Sequence, residues 1–300
     1  MSDSSKAIVE PIYRATESGE VSLLDAAVTD DVIEHPLNPG QVPGRDALKQ
    51  TFGGFHLIVP DLQLTVEDMI AAGDKVAVRS SMRGTPAGEY LGVPANGRPL
   101  SFTAIDIWRI ADGRAAEVWH VEDFARVLID WGVLPLPSRE SPPAGSTPAA
   151  PAGGPASADD ARSLVRRWYE AVHRGELAAL DGLLDPGYIG HDPVGPGLTV
   201  TPGREGARHD VAVLHAAFPD LDITLADLFA DADKVVARVM VRGTQLGPLP
   251  GVPPTGRRMA VMGNQIWRVA NGRIVEQWGR FEDLDLFQQI GLLPTPAAPH

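Results

Sequence analysis

The sequence has 300 residues, 44% apolar and 22% charged, and no apolar run approaches the roughly 20 residues that cross a bilayer. This excludes a membrane-spanning protein, and the length predicts two globular domains. The absence of cysteine excludes disulfides, thiolate nucleophiles and cysteine-ligated metals. A formal net charge of −13 offers no basic surface to phosphate backbones, so nucleic acid is not an expected partner. With no basic and apolar leader, the expected location is the cytoplasm.

The first part of each half predicts a layer of helices. Apolar residues at helical spacing indicate a helix that ends at Gly19 in the first half and at Gly175 in the second, since glycine suits the C′ position. The apolar positions of these two helices include Ile8, Ile12, Ala15, Leu164, Trp168 and Ala171. A short second helix follows, and a third begins after Gly44 and after Gly203.

Beyond Pro60 the apolar period changes to two, which predicts strands. One long strand alternates through Phe102, Ala104, Asp106, Trp108 and Ile110. The turns Ala111-Asp112-Gly113 and Ala270-Asn271-Gly272 predict a hairpin between the last two strands of each half. Helices followed by a curled antiparallel sheet predict an α+β cone whose mouth holds a pocket.

The two halves repeat one another. Gly44-Arg45-Asp46 returns as Gly203-Arg204-Glu205, and from there to Pro135 and Pro294 the halves align without a gap. About a third of the aligned positions are identical, which predicts two copies of one fold. The predicted domains are residues 1–135 and 160–296. The linker between them, residues 136–159, is dominated by Pro, Ala, Gly and Ser, so residues 141–156 are expected to be poorly ordered.

Several spaced motifs of the second half point to a known family. They are His191-Asp192-Pro193, Phe218-Pro219-Asp220-Leu221, the segment from Gly251 to Arg257, the segment from Gly272 to Trp278, and Gln288-Gln289-Ile290-Gly291. In these motifs the chain resembles the SnoaL-like polyketide cyclases of the nuclear transport factor 2-like (NTF2-like) superfamily. The first half matches less fully but keeps the spacing. The resemblance implies an α+β protein of two tandem NTF2-like cone domains, with helices packed on a curled antiparallel sheet.

The resemblance also implies a reaction and the positions that carry it. Members of this family close rings on polyketide methyl esters by an intramolecular aldol reaction, without metal or organic cofactor. The implied acid/base positions lie on the last strand, on its neighbour and at the end of the second helix. In the first half they are His120, Asp106 and His35, and in the second half they are Gly279, Gln265 and His191. Only the first half therefore keeps a titratable group at all three positions.

Many family members instead carry a carboxylate four residues past the tryptophan of the last strand. Here that residue is Asp123 in the first half and Glu282 in the second. We include Asp123 among the candidate catalytic residues. The predicted pocket of the second domain comprises His191, Asp192, Gln265 and Glu282.

The chemistry assigns a role to each group of the first half. Removing a proton between two carbonyl groups needs a base whose pKa lies near the working pH, and donors for the enolate oxygen. We expect His120 to be the base, Asp106 to fix its tautomer across the hairpin, and His35 to donate to the oxyanion. The expected apolar residues that bind substrate are Phe102, Trp108 and Trp267. Activity should then depend chiefly on the first half.

Several of these residues also have a structural interpretation. His35 and His191 would equally cap a junction between helix and strand, and a shift of one residue in register would turn His120 outward. Asp106 is the most telling residue, because it lies within an apolar run and an unpaired buried carboxylate is costly. A paired or functional interior site is therefore predicted for it.

Two further functions stay open. A polyether-type epoxide hydrolase/cyclase would need inward-facing carboxyl pairs, Asp192 with Asp220 or Glu34 with Asp61. A non-catalytic small-molecule-binding protein would keep the fold without the chemistry.

The expected partner is a hydrophobic small molecule. Single-domain members of the family pair through their sheets, so the fused tandem predicts a pseudo-dimer within one chain. The tandem chains could in turn form a homodimer. Size-exclusion chromatography with light scattering should then show a monomer or a dimer of tandem chains, and halves that do not touch would contradict the pseudo-dimer.

Overall fold

The computed structural model describes residues 2–37, 41–136, 157–193, 195–198, 201 and 203–294. The chain divides into two compact units, Met1–Glu122 and Asp123–Thr295. The sequence-based boundary at residue 135 stays a prediction, and the segment 141–156, expected to be poorly ordered, lies outside the described residues. None of the helices in the described ranges combines the length and hydropathy needed to cross a membrane.

The first unit begins with helices and ends with a sheet. Its elements in chain order are α1 (Ser2–Ser18), a 3-10 turn (Val21–Leu23), α2 (Leu24–Ala27), β1 (Val28–His35), α3 (Arg45–Ile58), β2 (Gln63–Ala72), β3 (Lys75–Gly84), β4 (Leu100–Ala111) and β5 (Arg114–Glu122).

The second unit repeats this order after one additional helix. Its elements are α4 (Phe124–Asp130), α5 (Ala158–Arg174), α6 (Leu177–Leu183), β6 (Leu184–Gly190), α7 (Gly203–Ala217), β7 (Asp222–Asp231), β8 (Lys234–Thr244), β9 (Arg258–Ala270), β10 (Arg273–Phe281) and α8 (Asp283–Gln289). The prediction that both halves adopt one α+β fold is confirmed.

The two sheets have the same topology. The strand orders are β1-β5-β4-β3-β2 and β6-β10-β9-β8-β7. Strands β2 to β5 and β7 to β10 are antiparallel, but β1 pairs with β5, and β6 with β10, in parallel. The predicted antiparallel sheet is therefore present in each unit, with one parallel edge strand added, and the sequence analysis missed β1. The reason is its pattern: three residues that are not fully buried separate Val28 from Val32, so the period-two signal is absent.

Local signals for turns and helix ends were correct. Gly175 adopts the left-handed conformation (φ 67°) after α5, and its backbone N–H bonds to the last turn of that helix. Gly19 ends α1 in the same way, with φ 73°. Asp112 and Asn271 both have positive φ in the predicted hairpin turns, as two-residue turns between twisted strands require.

One face of the first sheet packs on the helices. Val76, Val78, Trp108 and Val118 lie in the core with residues of α1, α2 and α3. Cross-strand partners point to the same side of a sheet, and Val78 pairs with Asp106. Asp106 therefore faces the helices, on what we call the concave face.

Candidate active site

Asp106 and His120 lie directly opposite each other on the concave face of the first unit. The hairpin register pairs Asp106 with His120 and Trp108 with Val118. Asp106 is 8% exposed. The sequence-based expectation that the hairpin brings these two groups together is met, and His120 does not point outward.

Asp106 is bound by a tyrosine from the first helix. The Tyr13 hydroxyl donates to Asp106 Oδ2 at 2.5 Å and accepts a hydrogen bond from Trp108 Nε1 at 3.1 Å. Trp108 is thus a buried wall beside the site, as expected, and also orients Tyr13. The sequence analysis missed Tyr13. The repeat could have indicated it, because Tyr13 and Tyr169 occupy equivalent positions in the two halves: the interval between them equals that between His35 and His191.

The partner of His120 is Glu122 rather than Asp106. The Nδ1 atom of His120 lies 2.8 Å from Glu122 Oε1, and Nε2 lies 3.2 Å from the Pro36 carbonyl oxygen. Both oxygens accept hydrogen bonds, so both ring nitrogens must carry a proton. The geometry therefore favours the imidazolium form of His120.

The electrostatics of the site point the same way. Burial, and then the charge of Glu122, raise the pKa of Asp106 to about 7, although Tyr13 and His120 act to lower it. Burial alone lowers the pKa of His120, but the carboxylates of Glu122, Asp106 and Glu34 outweigh it and raise this pKa to about 10. At neutral pH His120 is charged and Asp106 is about half ionised. The expected assignment of His120 as the base is therefore not favoured.

Further groups complete the polar end of the site. Glu34 is buried and accepts a hydrogen bond from Gln41 Nε2 at 2.8 Å, and burial raises its pKa. The aromatic rings of Phe55, Tyr90 and Phe102 pack together, with Phe55 in contact with both others. Phe102 alternates with Asp106 on the same face, so the predicted apolar wall is present.

His35 is not brought into this cluster. Its Nε2 lies 2.9 Å from Glu117 Oε1, and its ring stacks on Trp119 at 5.4 Å between centroids. Trp119 precedes His120 on β5 and points to the opposite face of the sheet. The expectation that His35 ends a helix and faces the pocket was wrong, because residues 28–35 form β1 and alternation turns its side chain away.

His191 repeats this arrangement in the second unit. Its Nε2 lies 3.1 Å from Glu276 Oε1, and its ring stacks on Trp278 at 4.6 Å. Arg268 donates to Glu276 at 2.6 Å. The recurrence in both units of one histidine bonded to a glutamate and stacked on a tryptophan indicates a structural role on the face away from Asp106.

The second unit keeps the tyrosine but not the charges. Tyr169 donates to Gln265 Oε1 and accepts from Trp267 Nε1 at 3.1 Å, as Tyr13 does with Asp106 and Trp108. Gly279 occupies the place of His120. A Cβ added to Gly279 would lie 2.5 Å and 2.8 Å from the terminal amides of Gln277 and Gln265. Neutral amides therefore fill the space of the imidazolium.

The positions equivalent to Glu122 and Glu34 hold uncharged residues in the second unit. Phe281 pairs with Gly263 as Glu122 pairs with Ala104. Gly190 stands where the first unit has Glu34, and a Cβ there would lie 3.1 Å from the Tyr188 hydroxyl. The second pocket thus keeps the fold of the first without its acid/base groups.

The other predicted carboxylates have structural partners. Asp192 accepts from the Gly279 backbone N–H at 3.0 Å and forms an ion pair with Arg280. Glu282 accepts from the Met262 backbone N–H at 2.8 Å. Asp123 is buried just before α4, where its charge helps to raise the pKa of Arg280 against the effect of burial. The described contacts do not join any of these to a pocket base.

The carboxyl pairs of the epoxide alternative do not form. Asp61 accepts from the Thr85 backbone N–H and Asp220 from that of Thr244, each at 2.6 Å. These bonds lower the pKa of both carboxyls. Within the described ranges, no three histidine or acidic side chains converge as metal ligands would.

The fold and the first site define a tandem of α+β cone domains, one of them with buried acid/base groups. The family model of the SnoaL-like polyketide cyclases matches the chain twice, over residues 7–130 and 163–290. The chain therefore belongs to the SnoaL-like polyketide cyclase family, as its motifs predicted.

Solved structures give the same likeness, each over less than half of this chain. TsrD from Streptomyces laurentii is 32% identical, with 45% of this chain and 97% of that chain covered and a TM-score of 0.41. A protein from Bacillus cereus ATCC 10987, provisionally described as a polyketide cyclase, is 30% identical over 43% and 81% of the two chains, with a TM-score of 0.38. IdmH from Streptomyces antibioticus, described likewise, is 29% identical over 43% and 98%, with a TM-score of 0.38. No curated protein matches the chain.

Proposed function

We propose that the first unit closes a ring on a polyketide-like small molecule by aldol-type acid/base chemistry, with no metal or organic cofactor. The observation that carries the proposal is the pairing of a buried carboxyl group with a half-buried imidazole of opposite function. Asp106 has a pKa of about 7, which suits a general base. His120, bonded through both nitrogens to oxygen acceptors, is a fixed cation that stabilises a developing oxyanion.

The reaction then follows from the atoms of the site. Asp106 Oδ1 takes a proton from a carbon flanked by two carbonyl groups, while Tyr13 holds Oδ2. A substrate oxygen replaces the Pro36 carbonyl as acceptor of the His120 Nε2–H, since that bond is the longer of the two that His120 makes. The enolate carbon attacks the ketone carbon, and the new alkoxide takes the proton of His120. The proton on Asp106 returns to His120 and completes the cycle.

The direct test is turnover of an aromatic polyketide methyl ester that bears a methyl ketone side arm. An aldol addition keeps all atoms, so the expected product is a cyclic isomer of unchanged mass, detected by chromatography with mass spectrometry. A substrate that is returned unchanged, or a hydrolysed ester as the sole product, contradicts the proposal.

Glu122 should set the pH range of this activity. We expect kcat/KM to rise through about pH 7, as Asp106 ionises, and to fall near about pH 10, as His120 loses its proton. Glu122 raises the pKa of both groups, so Glu122→Gln should move both limbs of the profile to lower pH. Glu67→Gln is the control, because the Glu67 carboxylate accepts an exposed hydrogen bond from the Ser81 hydroxyl. A profile that Glu122→Gln leaves in place contradicts the assignment.

We also propose that the second unit performs no acid/base step. Gln265, Gly279 and Phe281 replace Asp106, His120 and Glu122, and none of them exchanges protons near neutral pH. The non-catalytic alternative raised by the sequence thus applies to this unit.

A further inference from the structure

A row of three side chains, two of them polar, lies beside Asp106 on the concave face of the first unit. Ser80 on β3, Ala104 on β4 and Glu122 on β5 stand opposite one another. Ser80 is 0% exposed, and its hydroxyl has no hydrogen-bond partner among the described residues. A buried hydroxyl left unpaired is destabilising, because it has lost its hydrogen bonds to water. Such a group requires an explanation.

The second unit lacks this polar row. Its aligned residues are Val239, Gly263 and Phe281. A Cβ added to Gly263 would lie 2.4 Å from the ring of Phe281, so that ring covers the row. Where the chain lacks counterparts of Asp106, His120 and Glu122, it therefore also has no hydroxyl at the position of Ser80 and fills the space with an apolar side chain. The hydroxyl of Ser80 accompanies the reactive groups.

We propose that Ser80 binds a neutral oxygen of the substrate, a hydroxyl or a carbonyl, and so forms a specificity subsite of the first pocket. The inference rests on the proposed function of that pocket. Ser80 and Asp106 are diagonal neighbours on adjacent strands, with about 7–8 Å between their Cα atoms. Glu122 shares the row and its charge disfavours an anionic substituent there.

The test compares two probes that differ by one oxygen, 2-naphthol and naphthalene. Their dissociation constants are measured by equilibrium dialysis against the full chain and its Ser80→Ala variant. We expect Ser80→Ala to weaken 2-naphthol binding by about tenfold, the usual scale of one neutral hydrogen bond, and to leave naphthalene unchanged. Ser81→Ala is the matched control, because its hydroxyl lies on the opposite face and binds Glu67 at 2.7 Å.

Stability and turnover separate the possible outcomes. Ser80→Ala should not lower the urea midpoint, since the hydroxyl makes no hydrogen bond within the described protein. Equal effects of Ser80→Ala on both probes, no effect, or no binding of 2-naphthol to the wild type overturn the subsite. If Ser80→Ala weakens binding of 2-naphthol but no ring closure is detected, the subsite stands and the proposed cyclase chemistry is contradicted. If ring closure requires Asp106 but Ser80→Ala leaves 2-naphthol binding unchanged, only the subsite is contradicted.

Discussion

Asp106→Asn is expected to lower turnover by about 100-fold or more, the usual scale for loss of a general base. Asparagine keeps an oxygen that can accept the Tyr13 hydrogen bond, so the packing around the site should persist. It cannot take a proton from carbon near neutral pH. The measurement is kcat and kcat/KM for ring closure of the polyketide methyl ester, with thermal unfolding to verify the fold.

The second unit supplies the matched control for this substitution. Gln265 is the aligned residue and holds Tyr169 as Asp106 holds Tyr13. We expect Gln265→Ala to reduce turnover far less than Asp106→Asn. Full activity of Asp106→Asn would refute our assignment. Loss of turnover in folded Glu282→Gln or His191→Ala, while His120→Ala stays active, would transfer the chemistry to the second unit.

The raised pKa of Asp106 should also make stability depend on pH. In the folded protein this pKa is about 7, against 3.8 for an ordinary aspartate. The folded state therefore holds the proton more tightly, and this contribution to stability is complete below about pH 4 and is lost as the pH rises through 7. The loss is on the order of 4 kcal/mol. The free energy of unfolding of Asp106→Asn, measured relative to that of the wild type, should therefore rise by about this amount between pH 4 and pH 7.

Urea unfolding at intervals from pH 4 to pH 8 measures this difference. Asp61→Asn is the control, because the Thr85 backbone N–H lowers the pKa of Asp61. That contribution is present above the ordinary aspartate pKa and is lost only on acidification. The difference between Asp61→Asn and wild type should stay flat over this range. A flat difference for Asp106→Asn as well would contradict a protonated Asp106.

The sequence predicted the parts of the site that depend on local geometry. The turn at residues 111–113 predicted the hairpin between β4 and β5. The pairing of Asp106 with His120 depends in addition on a one-residue irregularity between Arg109 and Ile110, which the turn does not specify. The position of Tyr13 did not follow from local geometry, because 93 residues separate it from Asp106 and only tertiary packing joins them. His35 was misplaced because the alternation of β1 is interrupted between Val28 and Val32.

The charge of His120 was missed for a different reason. Glu122 lies two residues further along β5, and side chains two apart on a strand share a face. The signal was therefore present in the sequence, in the spacing of His120 and Glu122 along one strand. The pKa of a buried histidine depends on all the charges that face it, and that set became evident only with the fold.

The glycine at position 279 bears on how the duplicated unit has diverged. A single Gly279→His replacement would place an imidazole where two glutamine amides already stand. An acid/base pair would need carboxylates at 265 and 281 and a smaller residue at 277 in the same protein, since each change alone buries an uncompensated charge or leaves a clash. Evolution by single mutations would thus pass through destabilised intermediates. Under the proposed function, the second copy could thus lose these groups more readily than regain them.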